Sequence, residues 1–526
     1  MASQQLPTKY LDPLLQSTHA DLFASSVTVP LEPVLPPEVS QVGYDAAVRE
    51  FVNILGSSYV LIGEALREYV DPYELFEGEA TRKAPRMGEL TEISFSPSNN
   101  EELKASLLVA NKYKIPLWTF SKGKNLGYGG PAPVVSGSIA LDLYRMNKII
   151  EVNDELHYAV VEPGVSFCDL YDYCEANRLK VWPSVPSLGW GSVVGNTLDR
   201  GVGFTPTAVH HQHISGLEVM LASGELLRTG QFGISQSKSA HLSKFQFGPT
   251  IDGLFLQSNL GVVTKLGIWL TPQPQAYLSC YFDMPRFEDV GTIVDTFSGL
   301  RRNGVLPNMV YISNIVEALA MIGRREEFWS GEGAMPDWRI AELQKKYDMG
   351  YWNAKFGLYG PRDVIQAQYN EVQKMVAEKA PEGRLRSEMF AANHKELLDA
   401  KKIPEPDGGM FVGVPSLWSL PIVKFRLPKD GGIGGHADYS PIIPSDGKEV
   451  LTWLKLAKDI SGRLGYELFC DFFMHERHVI LINMLVFDKT KSDQRQSVDA
   501  ILKGLVREGS KRGYSSYRSH INHMGE

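Results

Sequence analysis

Apolar residues recur along this chain at two spacings. A helical spacing of three to four runs through Asp45–Leu55 and Asn100–Tyr113. Between Thr91 and Leu270 these give way to short β-branched runs: ISFSP, PLWTF, GSIALDL, YAVVEPG, GLEVMLASG and GVVTKLGIWL. That alternation predicts an α+β region with several strands and glycine-dense crossings. After TPQPQ at Thr271–Gln275 the pattern changes to longer helical stretches, Phe287–Arg301 and Asp363–Lys379, with strands near Ser279–Phe282 and Val479–Phe487. A domain boundary is expected there. A last helix, Ser492–Gly513, leads into YSSYRSH, while residues 1–44 read as a Pro- and Ser-rich arm containing LEPVLPPEVS.

At 526 residues the chain has material for several domains, and its 43% hydrophobic content excludes disorder. Fifty-three Lys and Arg stand against sixty-one Asp and Glu, a net charge of −8 with no long basic tract. Nucleic acid and anionic membrane are therefore disfavoured, and a small molecule becomes the expected partner. Cys168, Cys174, Cys280 and Cys470 include no CxxC pair and are too few for a disulfide scaffold. The N-terminal residues lack the basic and continuous apolar regions of a secretory signal, and Val479–Phe487 is too short to span a bilayer. A cytoplasmic or peroxisomal protein is expected rather than a secreted one, although the final residues are not an SKL-type address.

Three segments are dense in glycine: SKGKNLGYGG at 121–130, PSLGWGSVVGNTLDRGVG at 186–203 and SNLGVVTKLG at 258–267. Glycine lets backbone approach a ligand closely, so clustered loops of this kind can offer several N–H donors to one anion such as a pyrophosphate. None is a Walker A sequence, and no complete GxGxxG opens a βαβ unit. Taken singly, each could be an ordinary turn.

In this order and spacing the three segments resemble the FAD-binding half of the vanillyl-alcohol oxidase, eugenol oxidase and 4-cresol dehydrogenase flavoprotein family. GYWNAKFGLYGP at 350–361, GGHADYSPIIPSDG at 434–447 and GYSSYRSH at 513–520 resemble its cap and active-site segments. The resemblance runs from about Asp45 to Met524. It implies an α+β fold: a two-part FAD-binding domain over residues 45–271, a cap or substrate domain over 272–497, and a return to the FAD domain over 498–526. It also implies FAD held by Lys122, Gly123, Lys124, Asn125, Gly127, Gly189, Gly191, Ser192, Gly195, Asn196, Gly203, Gly261 and Val262. Homodimers or larger assemblies are a further implication.

His436 matches the family's histidine that bonds covalently to the flavin, a link expected to raise the redox potential and help hydride acceptance. The second histidine that assists attachment is not found, because Thr81–Leu90 matches poorly. Tyr128, Tyr517 and Arg518 match the trio that binds the substrate phenol, where two phenolic donors and a guanidinium favour phenolate. Ser187 departs from the family: the oxidases have aspartate here, and serine holds no charge near neutral pH. Asp471, on the apolar strand ELFCDFFMHE, is the candidate replacement, delivering water or a proton from the opposite face; the plain alternative is a structural carboxylate paired with Arg477 or a histidine. Phe204 and Asp438 also depart from the pattern and imply a pocket of altered polarity. His210, His211 and His213 could suggest a metal, but no supporting cysteine or carboxylate pattern accompanies them, and none is expected. Relatives continue past the Tyr–Arg pair with a further segment covering the flavin, whereas this sequence stops at Glu526, so cofactor retention is expected to be weaker.

The expected activity is FAD-dependent hydride removal from the benzylic or allylic carbon of a para-substituted phenol through a quinone methide, with molecular oxygen as acceptor. The alternatives are a dehydrogenase tailoring an aromatic secondary metabolite, and an inactive flavin-free relative.

Overall fold

The computed structural model describes residues 7–10, 35–62, 93–135, 137–393 and 396–524. Most of the expected arm, the Thr81–Leu90 segment and Glu526 lie outside the described residues.

Helix α1, Gln41–Leu55, begins four residues before the apolar spacing does, because Ser40 caps it by accepting from the Gly43 amide. The next helix, α2, Asn100–Tyr113, keeps its expected bounds: Asn99 accepts from the Glu101 and Glu102 amides and fixes its start. Around them lies a sheet of β1 Val60–Ile62, β2 Ile93–Phe95, β3 Leu117–Phe120 and β4 Ile139–Asp142, in the order β1-β2-β4-β3, with β4 parallel to both β2 and β3.

The chain continues through β5 Ile149–Asn153, β6 Tyr158–Val161, α3 Phe167–Ala176, β7 Val181–Trp182, α4 Val193–Leu198, β8 Ile214–Met220, β9 Leu226–Arg228, β10 Val262–Trp269 and β11 Thr271–Pro272. An antiparallel sheet of order β5-β6-β10-β8-β9 covers α3 and α4, and β11 returns to pair with β7.

After residue 275 the chain enters another, larger sheet. Strands β12 Ala276–Met284, β13 Val310–Asn314, β14 Trp352–Gly360, β15 Arg384–Ala391, β16 Gly434–Tyr439, β17 Ile442–Pro444, β18 Cys470–Met474 and β19 His478–Asp488 form one antiparallel sheet, ordered β15-β12-β14-β13-β18-β19-β16 with β17 on β19. Helices α5 Val290–Arg302, α6 Ile315–Ile322, α7 Arg325–Phe328, α8 Asp337–Tyr347, α9 Arg362–Lys379, α10 Gly447–Arg463 and α11 Ser492–Lys511 complete this half.

Strand alternation gives the large sheet two faces of different chemistry. Leu278, Cys280, Phe282, Ile312, Phe356, Phe472 and Leu481 point to the helices and make the main core. The register puts Tyr311, Asp471, Ile482, Met484, Asp438 and His436 on the other face. The boundary expected at residues 497 and 498 falls inside α11, whose Val498, Ile501, Leu502 and Leu505 are buried in the main core. An amphipathic helix cannot change partners in mid-course without exposing that stripe, so the chain crosses back only after Lys511.

Candidate active site

The crossing segment brings together residues far apart in sequence. The Ile442 and Tyr517 amides donate to Ser515 and Ser440 carbonyls, and Pro441 pairs with Ser516, so 515–517 is laid along the end of β16 and the start of β17. Tyr517 thereby meets Tyr128, whose loop is tied to the same segment by the Ile521 amide. The two rings stand edge to face with centroids 6.4 Å apart, both buried, against Ile480 of β19. The Arg518 guanidinium lies 5.3 Å from the Tyr128 ring centroid and 5.1 Å from that of Tyr517. The expected trio is one cluster.

Its electrostatics depend on residues that sequence reasoning missed. Arg518 donates to the Asp199 carbonyl and to Asn125 Oδ1 at 3.0 Å, and its Nε lies 2.7 Å from Asp199 Oδ2. Gln257 reaches both the Tyr517 carbonyl, at 2.8 Å, and Asp199. Tyr128 Oη shares a 2.7 Å hydrogen bond with Ser440. Burial raises the pKa of Tyr128 well above the ordinary phenol value, with Tyr517 and Asp438 adding to it and Arg518 opposing. Tyr517 is raised by burial as well. Both are therefore O–H donors, and the cation beside them stays charged: burial works against Arg518, but Asp199 and the two phenols outweigh it and raise its value. Two donors and a guanidinium are suited to a phenolate oxygen.

The loop before Tyr128 touches His436. Gly127 has φ +82°, and a Cβ there would collide with the His436 imidazole and the Asp438 carboxylate. Only glycine lets the loop come this close. Its carbonyl accepts from the Asp438 amide, and His436 Nε2 lies 3.3 Å from Asp438 Oδ2. Asp438 and Arg518 also border a cavity of about 510 Å³ with Tyr514, Ser516 and His520.

The second glycine segment behaves differently from expectation. The amides of Gly189, Gly191, Gly195, Asn196 and Gly203 donate to Ser416 O, Leu188 O, Ser192 Oγ, Ser192 O and Ala208 O respectively. Gly189 thus ties the segment to Ser416, and the other four amides donate within the segment and to Ala208 just beyond it, so these five N–H groups are engaged inside the protein. Ser192 caps α4, Asn196 Oδ1 is 2.6 Å from His210 Nδ1, and Gly261 and Val262 lead into β10 against Val219. In the first loop Lys122 is buried, Lys124 Nζ lies 4.3 Å over the Trp190 ring, and Gly123 abuts Pro131. His210 is buried and pushed down to about 3, chiefly by burial, and among the described residues no His, Cys, Asp or Glu group is placed to hold a metal. Nor is any helix among them long and apolar enough to cross a membrane.

Ser187 lies in the turn after β7, its carbonyl accepting from Ser419. Asp471 sits in β18 beside Ser313 of β13, 6% exposed, and is pushed up to about 7 by burial and then by Asp438, with Tyr311 opposing. Among the described residues neither Arg477 nor a histidine pairs with it, as its interactions lie with Tyr311, Asp438 and Glu317. Phe204 packs against Tyr311, Phe411 and Phe473 in edge-to-face and tilted contacts, at centroid distances of 5.6, 5.1 and 5.6 Å.

A family model described as an FAD-binding domain matches residues 92–230. The flavoprotein subunit of 4-cresol dehydrogenase (hydroxylating) from Pseudomonas putida is 33% identical over 490 residues, 92% of this chain and 90% of that one. Two solved structures, p-cresol methylhydroxylase with substrate bound and 4-ethylphenol oxidase from Gulosibacter chungangensis in complex with isoeugenol, align with TM-scores of 0.84 and 0.83. Each is 31% identical and covers 93% of this chain and 91% of its own. These likenesses agree with the expected two-part FAD-binding domain under an α+β cap. The chain belongs to the vanillyl-alcohol oxidase and p-cresol methylhydroxylase family of FAD-binding oxidoreductases.

Proposed function

We propose that this flavoenzyme oxidises the benzylic carbon of a para-alkyl phenol and that water then adds to the resulting quinone methide. The observation that carries the reading is the convergence of Tyr128, Tyr517 and Arg518. FAD, when bound, supplies the two-electron acceptor for the hydride. Residues 122–127 and His436 would hold it, and the fit is supported by the Gly127 loop lying against His436. His436 is the proposed point of covalent attachment.

The chain's own residues prepare the substrate. Tyr128 and Tyr517 donate to its oxygen, and Arg518 stabilises the negative charge there, pushing electron density toward the para carbon. With Ser187 unable to act as a base, Asp471 takes the proton of the water that adds to the quinone methide. An apparent value of about 7 suits a base near neutral pH. In the proposed cycle molecular oxygen is the electron acceptor, so a 4-alkyl phenol, oxygen and water give the benzylic alcohol and hydrogen peroxide.

The test is aerobic incubation of the holoenzyme with 4-ethylphenol in ¹⁸O-water. The reading predicts labelled 1-(4-hydroxyphenyl)ethanol and one peroxide per turnover; unconsumed phenol refutes it, and turnover only with an artificial acceptor refutes oxygen's part. In Asp471→Asn the ratio of alcohol to 4-vinylphenol falls at least about tenfold. An unchanged ratio in a folded, flavin-loaded variant removes Asp471 from the mechanism.

A further inference from the structure

The apolar helix α6 carries one acid, Glu317, whose side chain is buried in the protein at 2% exposure. Its amide is capped by Asn314 Oδ1, which fixes the first turn and aims the carboxyl at β13. There the Tyr311 hydroxyl meets Glu317 Oε1. Tyr311 shares the site face of the sheet with Asp471, with which it also interacts. Among the described residues Glu317 Oε2 and Asp471 Oδ1 are both buried without a hydrogen-bond partner. Two acids therefore flank one hydroxyl.

Two buried carboxylates cannot both ionise cheaply at such a site. The groups around them do not relieve the charge: Asp438 from β16 adds a further negative charge, Cys470 of β18 and Tyr517 are neutral, and Lys355 of β14, beside Tyr311 in register, is engaged by the Pro406 carbonyl. Burial and then Asp471 hold the Glu317 carboxyl well above its ordinary range.

We propose that Glu317 is a positioning residue that stays protonated, donating its proton to the Tyr311 oxygen so that Tyr311 in turn donates to the Asp471 carboxylate. The chain of donors runs one way, Glu317 to Tyr311 to Asp471, and each oxygen has a defined role. A neutral acid leaves the pair with a single charge, placed on Asp471, the base of the proposed reaction. This inference deepens that reading and rests on it for the role of Asp471.

Infrared difference spectroscopy of the holoenzyme tests the protonation directly, without turnover. At about pH 9, where Asp471 with its value of about 7 has ionised, a protonated-carboxyl C=O band is expected, present in wild type and in Asp471→Asn, and absent in Glu317→Gln. A wild type without the band, or a band that survives Glu317→Gln, overturns the proposal. The pH profile of alcohol formation from 4-ethylphenol tests the positioning. Glutamine, a neutral donor, leaves the acid limb within about 0.3 units of wild type, whereas removal of an anionic neighbour would move it down by about a unit or more. Tyr311→Phe withdraws the donor from Asp471 and moves the limb up; a limb that does not move overturns the proposal. Glu317→Leu lowers kcat about tenfold with KM little changed, and glutamine restores it. If wild type leaves 4-ethylphenol untouched, the reaction assigned above fails, while the infrared band still decides the state of Glu317.

Discussion

Replacing Arg518 by methionine removes one buried charge and little volume. Its guanidinium is within about 5 Å of both phenol rings and is oriented by Asp199 and Asn125. At about 4 Å and an effective dielectric of about 20, a unit charge is worth ~4 kcal/mol. Asp199, paired with the cation at 2.7 Å, offsets about half of this, leaving ~2 kcal/mol for a phenolate held by Tyr128 and Tyr517. That corresponds to about thirtyfold in kcat/KM and to an upward shift of about 1.5 units in the pH at which bound substrate ionises. The direction follows because a cation lowers the pKa of a neighbouring phenol and its loss raises it. Steady-state kinetics with 4-ethylphenol across pH, on protein of matched flavin content, measure both quantities. Asp199 loses its cation in the same variant, so stability falls as well; adding Asp199→Asn restores stability but not kcat/KM. A flavin-loaded Arg518→Met enzyme within threefold of wild type, with an unmoved profile, refutes this assignment of the charge.

Gly127→Ala places a methyl group against His436 and Asp438 at φ +82°, so the covalent attachment proposed at His436, read as flavin in acid-precipitated protein, is expected to fall further than thermal stability does. Glu218 is buried in the β8 layer and contacts Lys265, Arg228 and Asn100. Burial alone would raise its value, but Lys265, Asn100 and Arg228 outweigh that and take it down to about 2. A depressed carboxyl stabilises above its unfolded value and loses that contribution as pH falls toward 2. Glu218→Gln is therefore less stable than wild type by ~2 kcal/mol at pH 7, and denaturant titrations show the gap closing between about pH 4.5 and 2. A gap that is constant with pH contradicts the ion-pair account.

The core elements were legible because their patterns are local. The spacing in Asn100–Tyr113 and the run Val479–Phe487 carry helix and strand in their own residues, whereas the Ser40 cap that starts α1 at Gln41 lies outside the apolar spacing and was not read. The division at 497 and 498 falls within a helix because nothing in Ser492–Lys511 says which sheet its stripe will meet. Tyr128, Tyr517 and Arg518 were found through motif resemblance, but their partners Asp199 and Ser440 were not. Those contacts span more than 300 residues and arise only when 515–517 is laid beside β16. Glu317 did leave a trace, a lone acid in IVEALAMI, where an unpaired charge is costly. Its neighbour Tyr311 could not be paired with Asp471 before the β13–β18 register was known.

The central claim is that a phenol bound by Tyr128, Tyr517 and Arg518 gives up a hydride in this protein. Anaerobic stopped-flow mixing of the flavin-loaded enzyme with 4-ethylphenol tests it most directly. The account predicts bleaching of the oxidised-flavin absorbance at a rate that saturates with substrate and falls about thirtyfold in kcat/KM terms in Arg518→Met. A flavin that stays oxidised in the presence of saturating 4-ethylphenol, in protein that is folded and fully loaded, contradicts it.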